Sequence, residues 1–315
     1  MEFHQLRYFC AVARTASFTR AAAEEGVAQP SLSQQISKLE LTLGAKLFDR
    51  LSRGVQLTEY GRTLLPQALS ILREVNEARS TLESLRGGGG HLSVGCIPTL
   101  TPYFLAPRLN EFVARYPDVE LRLIEETTPK LIELLQNGQL DLALVGLPVN
   151  SPEMLCSELF REPIWLVVAK DHRLASRAPV KLTELRSERM LLLKEGHCFR
   201  DDALRICSRA RMPFHSMFET GQFSSIFPMV AGGLGITLAP EMAARTANDC
   251  RLLPLEQETF RRVGYIRVRR HVCGAAQNAF VGWLREQCAG RRLRPEGVPA
   301  EKAAHKTAAR GGHFE

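Results

Sequence analysis

The chain has 315 residues, 45% of them apolar and 24% charged, the balance of an ordinary globular protein and more than one hydrophobic core usually supports. No apolar run reaches the roughly 20 residues needed to cross a bilayer, and the opening Met-Glu-Phe-His-Gln-Leu lacks a basic start leading into an apolar stretch. No membrane partner or export signal is therefore expected, and the expected location is the cytoplasm. The net charge of +7 says little about partners: residues 1–60 hold seven Lys/Arg against six Asp/Glu, while residue 260 onward holds twelve against four.

Leu6, Phe9, Cys10 and Ala13 recur at the spacing of one apolar helix face. Ser17 is placed to cap a second helix that turns Phe18, Ala21 and Ala22 inward and stops at Gly26. Pro30 suits the first turn of a third helix, with Leu32, Ile36, Leu39 and Leu43 on one side and Ser31, Gln34, Gln35 and Lys38 on the other. Such a polar stripe is often no more than a solvated face. Here it follows a short helix and a tight Gly turn, the helix-turn-helix pattern whose second helix enters the major groove. Gln can pair with adenine through two hydrogen bonds, and Ser is a permissive donor and acceptor. Arg50 and Arg53 flank a segment ending Val55-Gln56-Leu57, a wing that would set two guanidinium groups on phosphates or in a minor groove.

Thr58 is placed to cap a long helix running to Arg86. Leu64, Ala68, Ile71, Val75, Ala78, Leu82 and Leu85 alternate steps of four and three, a heptad seam that favours a dimerisation helix over packing within the chain. The glycines of residues 87–90 provide a hinge. Beyond it, strands at 91–97, 119–125, 140–145 and 164–169 alternate with helices at 103–115 and 129–136. Gly232-Gly233-Leu-Gly235 turns a helix end into a strand, and a last helix covers 275–288. The pattern predicts an α/β fold with parallel sheets and covering helices. The expected boundaries are residues 1–58 for a winged helix-turn-helix, 59–90 for the linker helix and hinge, 91–289 for an effector domain, and 290–315 for a basic, disordered tail.

Eight cysteines stand at 10, 96, 156, 198, 207, 250, 273 and 288. None has zinc-ligand spacing, so no metal or other cofactor is expected, and most should be free buried thiols in a reducing cytosol. No Ser/His/Asp set or carboxylate pair stands out, so the chain is read as a non-enzyme.

The segments Ser17-Phe-Thr-Arg-Ala-Ala, Gln29-Pro-Ser-Leu-Ser-Gln-Gln-Ile-Ser-Lys-Leu-Glu40, Leu43-Gly-Ala-Lys-Leu-Phe-Asp-Arg50 and Leu57-Thr-Glu-Tyr-Gly61 together resemble the N-terminal signature of LysR-type transcriptional regulators. The resemblance implies a winged helix-turn-helix, a linker helix pairing in dimers, and a two-lobed effector domain like that of periplasmic binding proteins. It also implies tetramers, with promoter DNA and RNA polymerase as partners. Gln29, Pro30, Ser31, Ser33, Gln34, Lys38, Arg50 and Arg53 would meet the DNA. Ala28 departs from the pattern, since many members carry Ser there.

Within the family, Glu195-Gly-His197-Cys198-Phe-Arg200-Asp201 followed by Cys207 resembles the peroxide-sensing members. So do Gly95-Cys-Ile-Pro-Thr99 with Pro102, Tyr103 and Leu105, then Thr128 and the pair Arg261-Arg262. This implies Cys198 as the thiol that meets hydrogen peroxide and Cys207 as the resolving thiol, with Thr99, Thr128, His197 and Arg262 shaping the pocket. A reactive thiol needs a lowered pKa; His197 and Arg200 are near enough in sequence to supply positive charge, with Asp201 opposing. If residues 199–207 are helical, the two Cα atoms stand about 13 Å apart, whereas a disulfide needs them within about 7 Å. Oxidation would then require remodelling. Two alternatives stand beside this: a regulator responding to a small organic effector between the lobes, and a solute-binding protein or enzyme built on the effector domain.

Overall fold

The computed structural model describes residues 1–50, 54–85, 89–209, 219–269 and 273–289. The expected tail at 290–315 and Arg53 lie outside the described residues.

The N-terminal unit comprises α1 (Phe3–Thr15), α2 (Phe18–Glu24), α3 (Gln29–Leu43) and a wing of two antiparallel strands, β1 (Phe48–Arg50) and β2 (Val55–Leu57). Ser17 caps α2 as its spacing predicts, its hydroxyl accepting from the Arg20 amide at 3.3 Å. Gly26 then adopts φ +67°, a left-handed turn open to glycine without strain. Leu6, Phe9, Val12, Ala21, Leu32, Ile36 and Leu39 close the core. Leu43 does not join them: it sits in the last turn of α3, past the helices that cover the other three, and is 41% exposed.

Ala28 is the N-cap of α3, in extended backbone, and provides no side-chain acceptor. Ala28→Ser should therefore raise the stability of the N-terminal unit by about 1 kcal/mol, read as a higher midpoint of its thermal transition.

Thr58 precedes α4 (Glu59–Leu85), its hydroxyl accepting from the Gly61 amide at 3.0 Å. The heptad seam of α4 divides along its length. Ala68 is fully buried, and Leu64 and Ile71 pack on the N-terminal core, whereas Ala78 and Leu82 are exposed. Among the described seam residues, the chain's own packing covers those up to Val75 and leaves Ala78 and Leu82 open.

The remainder runs β3 (His91–Cys96), a π-helical turn at 101–105 leading into α5 (Ala106–Arg115), β4 (Glu120–Glu125), α6 (Thr128–Gln136), β5 (Leu142–Leu147) and β6 (Met154–Ala169). After a 3-10 turn at 182–185 come β7 (Leu192–Leu193), α7 (Cys198–Arg209), β8 (Glu219–Thr220), α8 (Phe223–Ala231), β9 (Thr237–Pro240), α9 (Glu241–Ala244), β10 (Cys250–Pro254), β11 (Phe260–Val268) and α10 (Ala275–Gln287). One sheet has the order β10-β6-β11-β5-β3-β4, with β9 also on β6. Within it β3 pairs in parallel with β4 and β5, whereas the pairings of β11 with β5 and of β6 with β9, β10 and β11 are antiparallel; β7 and β8 form a separate parallel pair. The expectation of parallel sheets is thus corrected to a mixed sheet. The reason lies in β6, a 16-residue strand long enough to run through both lobes, against which later strands return in the opposite direction.

Two separate cores define the lobes. The first gathers β3, β5, α5, α6 and α10 around Phe104, Phe112, Phe160, Phe280 and Trp283. The second gathers the end of β6 with β9, α7, α8 and α9 around Leu166, Phe199, Phe223 and Phe227.

Candidate functional site

Cys198 opens α7 at the junction of the lobes. It is half-buried, packs against the first core, and faces the backbone of Gly146 on β5. Nine residues on, Cys207 is buried within the second core. One unbroken helix of 12 residues carries both sulfurs, which puts their Cα atoms about 13 Å apart at 1.5 Å rise per residue. The helix face that includes Phe199, Ala203, Ile206 and Cys207 is buried. The two thiols belong to different cores and cannot bond while α7 is intact.

Their electrostatics differ. Burial pushes the Cys198 thiol above its ordinary range, opposed by the Arg261 guanidinium, the Gly146 backbone and the Thr128 hydroxyl, while Asp202 adds a smaller upward push. Burial raises Cys207 to about 11 and Cys96 to about 12. Cys96 is wholly enclosed in the first core, so a core thiol is what it amounts to. Thiolate is the attacking form and burial raises the Cys198 pKa, so if Cys198 is the thiol that meets peroxide, its rate should climb about tenfold per pH unit between pH 6.5 and 8. A flat stopped-flow profile would contradict this.

The positive charge beside Cys198 comes from Arg261. His197 is buried, and burial followed by the nearby Lys194 charge lowers its proton affinity, so it is neutral at pH 7. The Arg200 guanidinium donates to the Leu193 carbonyl at 2.9 Å. Arg261 is 2% exposed and held on all sides. It donates to Glu162 at 2.8 Å, to the Thr99 hydroxyl at 2.8 Å and to the Thr99 carbonyl at 3.1 Å, and lies 5.8 Å from the Phe199 ring centre. Glu162 in turn accepts from the Met242 amide at 2.7 Å. This buried strut ties the turn after β3 to β6, β11 and α9.

Arg262, expected in the pocket, is placed elsewhere. Successive strand residues face opposite ways, so β11 sends Arg261 inward and Arg262 outward, 42% exposed and 3.6 Å from Glu158. Of the other expected pocket residues, Thr128 meets the Cys198 thiol, Thr99 is joined to it through Arg261, and His197 precedes it in the chain. Thr99 engages Arg261, the buried Thr128 hydroxyl has the Cys198 thiol beside it, and the buried His197 Nε2 has no hydrogen-bond partner among the described residues. A buried nitrogen without a partner is a group open to an incoming polar molecule.

Sequence reasoning missed Gly146. A Cβ on it would stand 2.9 Å from the Cys198 sulfur, closer than carbon and sulfur can approach. Gly146→Ala should displace the thiol and, if Cys198 is the thiol that meets peroxide, slow that reaction roughly ten- to a hundredfold, with DNA binding retained; an unchanged rate would count against this packing.

On the N-terminal unit, Pro30, Ser31, Gln34 and Lys38 are exposed on α3, with Gln29 and Ser33 half-buried. Gln35 is not part of the free stripe, since its side-chain carbonyl accepts from Gln5 at 3.2 Å. Arg50 ends β1 opposite Val55. A second residue missed in the sequence is Glu40. Its buried carboxylate accepts from Lys46 at 2.8 Å, the Leu47 amide at 2.9 Å and the Phe48 amide at 3.4 Å, fastening the end of α3 to the wing.

Residues 3–62 match the bacterial regulatory helix-turn-helix of the lysR family, and residues 86–289 match the LysR substrate binding domain. The chain belongs to the LysR family. This LysR regulator is 40% identical over 253 residues to a probable hydrogen peroxide-inducible genes activator from Streptomyces viridosporus, covering 79% of this chain and 81% of that one. Its fold matches full-length OxyR from Pseudomonas aeruginosa at a TM-score of 0.72, with 28% identity and coverage of 95% of this chain and 99% of that one. A hydrogen peroxide-bound OxyR cysteine variant from Corynebacterium glutamicum matches at 0.58, with 30% identity over 95% of this chain and 98% of that one. No helix among the described residues is long and apolar enough to cross a membrane.

Proposed function

We propose that this LysR-family chain is a cytoplasmic, DNA-binding transcription regulator that senses hydrogen peroxide through Cys198 and Cys207 and controls oxidative-stress genes. The observation that carries the reading is the division of the two thiols between two cores on one helix. The Cys198 thiolate attacks peroxide, the O–O bond breaks, and sulfenic acid and hydroxide result. The Cys207 thiol then displaces water from the sulfenic acid and closes the disulfide. Closure requires α7 to unwind, which draws Cys207, with Phe199 and Ile206, away from the second core and reshapes the lobe junction.

Thr99, Thr128 and His197 form the peroxide pocket in this reading, and Arg261 replaces Arg262 as its cation. Residues 1–58 bind double-stranded DNA through Gln29, Pro30, Ser31, Ser33, Gln34, Lys38, Arg50 and Arg53. Residues 59–90 pair two copies through the uncovered end of the α4 seam, and residues 91–289 sense. Dimers associate into tetramers, and RNA polymerase is the partner at the promoter. The protein turns over no metabolite: the peroxide reaction is its signal.

The test is a footprint on the DNA upstream of the chain's own gene, run with reduced and peroxide-treated protein. A footprint that changes length or spacing on oxidation, and reverts with a dithiol reductant, is expected. One identical in both states would overturn the peroxide reading and leave the DNA-binding assignment standing.

A further inference from the structure

A second positive charge, apart from Arg261, stands beside His197, the residue that precedes Cys198 in the chain. Lys194 follows β7 directly, before the turn to α7, its amide donating to the Thr220 carbonyl at 2.8 Å. Its side chain lies over Gly221. A Cβ on Gly221 would stand 3.4 Å from Lys194 Cε, 3.8 Å from its Nζ and 3.8 Å from His197 Nε2. The ammonium and the imidazole nitrogen therefore border one spot, which no side chain of residue 221 fills. His197 is only 5% exposed, and its Nε2 has no hydrogen-bond partner. Lys194 is exposed and, among the described residues, forms no ion pair; Glu195, its neighbour in the chain, does not reach it. An unpaired ammonium beside an unsatisfied buried nitrogen, one residue from the reactive thiol, is a place for an anion.

We propose that Lys194, with His197 Nε2, selects negatively charged peroxides as a second class of oxidant for Cys198, peroxymonosulfate and carboxylate-bearing hydroperoxides being examples. The inference rests on Cys198 being a peroxide-reactive thiol. The step balances without another reactant: the thiolate sulfur bonds the terminal peroxide oxygen with its hydrogen, the O–O bond breaks, and the leaving oxyanion departs with the electron pair. For peroxymonosulfate, thiolate and HSO₅⁻ give sulfenic acid and sulfate. Lys194 holds the anionic end and stabilises the charge that grows on it as the bond breaks.

The experiment compares the parent with Lys194→Gln and Lys194→Glu at pH 8, where His197 is neutral throughout. Stopped-flow rates of Cys198 oxidation are taken with peroxymonosulfate, hydrogen peroxide and tert-butyl hydroperoxide. Lys194→Gln should slow peroxymonosulfate about fivefold and Lys194→Glu about twentyfold at low salt, the differences shrinking as salt rises, while both neutral peroxides change less than twofold. An equal factor for all three oxidants, or an unchanged rate with peroxymonosulfate, overturns the proposal. Should hydrogen peroxide leave Cys198 untouched in the parent, the sensing reading fails instead, and the charge dependence with peroxymonosulfate still decides the role of Lys194.

Discussion

Cys198→Ser is expected to bind operator DNA as the parent does and to lose the whole peroxide-dependent footprint change. The substitution removes a sulfur that combines partial exposure with a neighbouring guanidinium and the Thr128 hydroxyl. Cys207→Ser should behave differently. It leaves attack intact and removes resolution, so mass spectrometry should find one added oxygen on Cys198 and no disulfide. Overoxidation to sulfinic acid should follow at higher peroxide. A Cys198→Ser protein whose footprint still responded would take Cys198 out of the mechanism.

The second large effect belongs to Arg261. Arg261→Met should destabilise the effector domain by about 3–5 kcal/mol, because Glu162 would remain buried without its cation. Thr99 would also lose both donors. Replacing both partners, as Arg261→Met with Glu162→Leu, should recover much of that loss, since the cost comes from the stranded charge. Arg262→Met, by contrast, should shift stability by less than about 1 kcal/mol, because its pairing with Glu158 is solvent-exposed and loose. Urea unfolding of the four proteins measures this. Equal losses at 261 and 262 would mean that the buried strut is not what holds the lobes together.

The N-terminal unit was legible because its signals are local: Ser17 caps the helix it precedes, Gly26 turns where only a few residues turn freely, and Pro30 opens the next helix. The nine-residue step between Cys198 and Cys207 was equally readable, since helix geometry alone fixes the gap. What escaped depends on contacts distant in sequence. Choosing Arg261 over Arg262 needs the phase of β11 against β5 and β6, and the sequence Phe260-Arg-Arg-Val-Gly does not declare which side is inward. Gly146 matters because of a sulfur 52 residues later. His197 has the composition of a cation but the environment of a neutral ring. The antiparallel return of the sheet was hidden because the first half of β6 mixes Ser, Glu and Arg with its apolar residues, so only 164–169 reads as a strand.

The central claim is that two thiols in different cores meet only when the helix between them gives way. Hydrogen exchange across residues 199–207, measured with disulfide mapping on the same peroxide-treated full-length sample, tests it directly. The account predicts a Cys198–Cys207 bond together with lost amide protection along α7. A sample carrying that bond with α7 still protected, or one fully oxidised without it, would contradict the account.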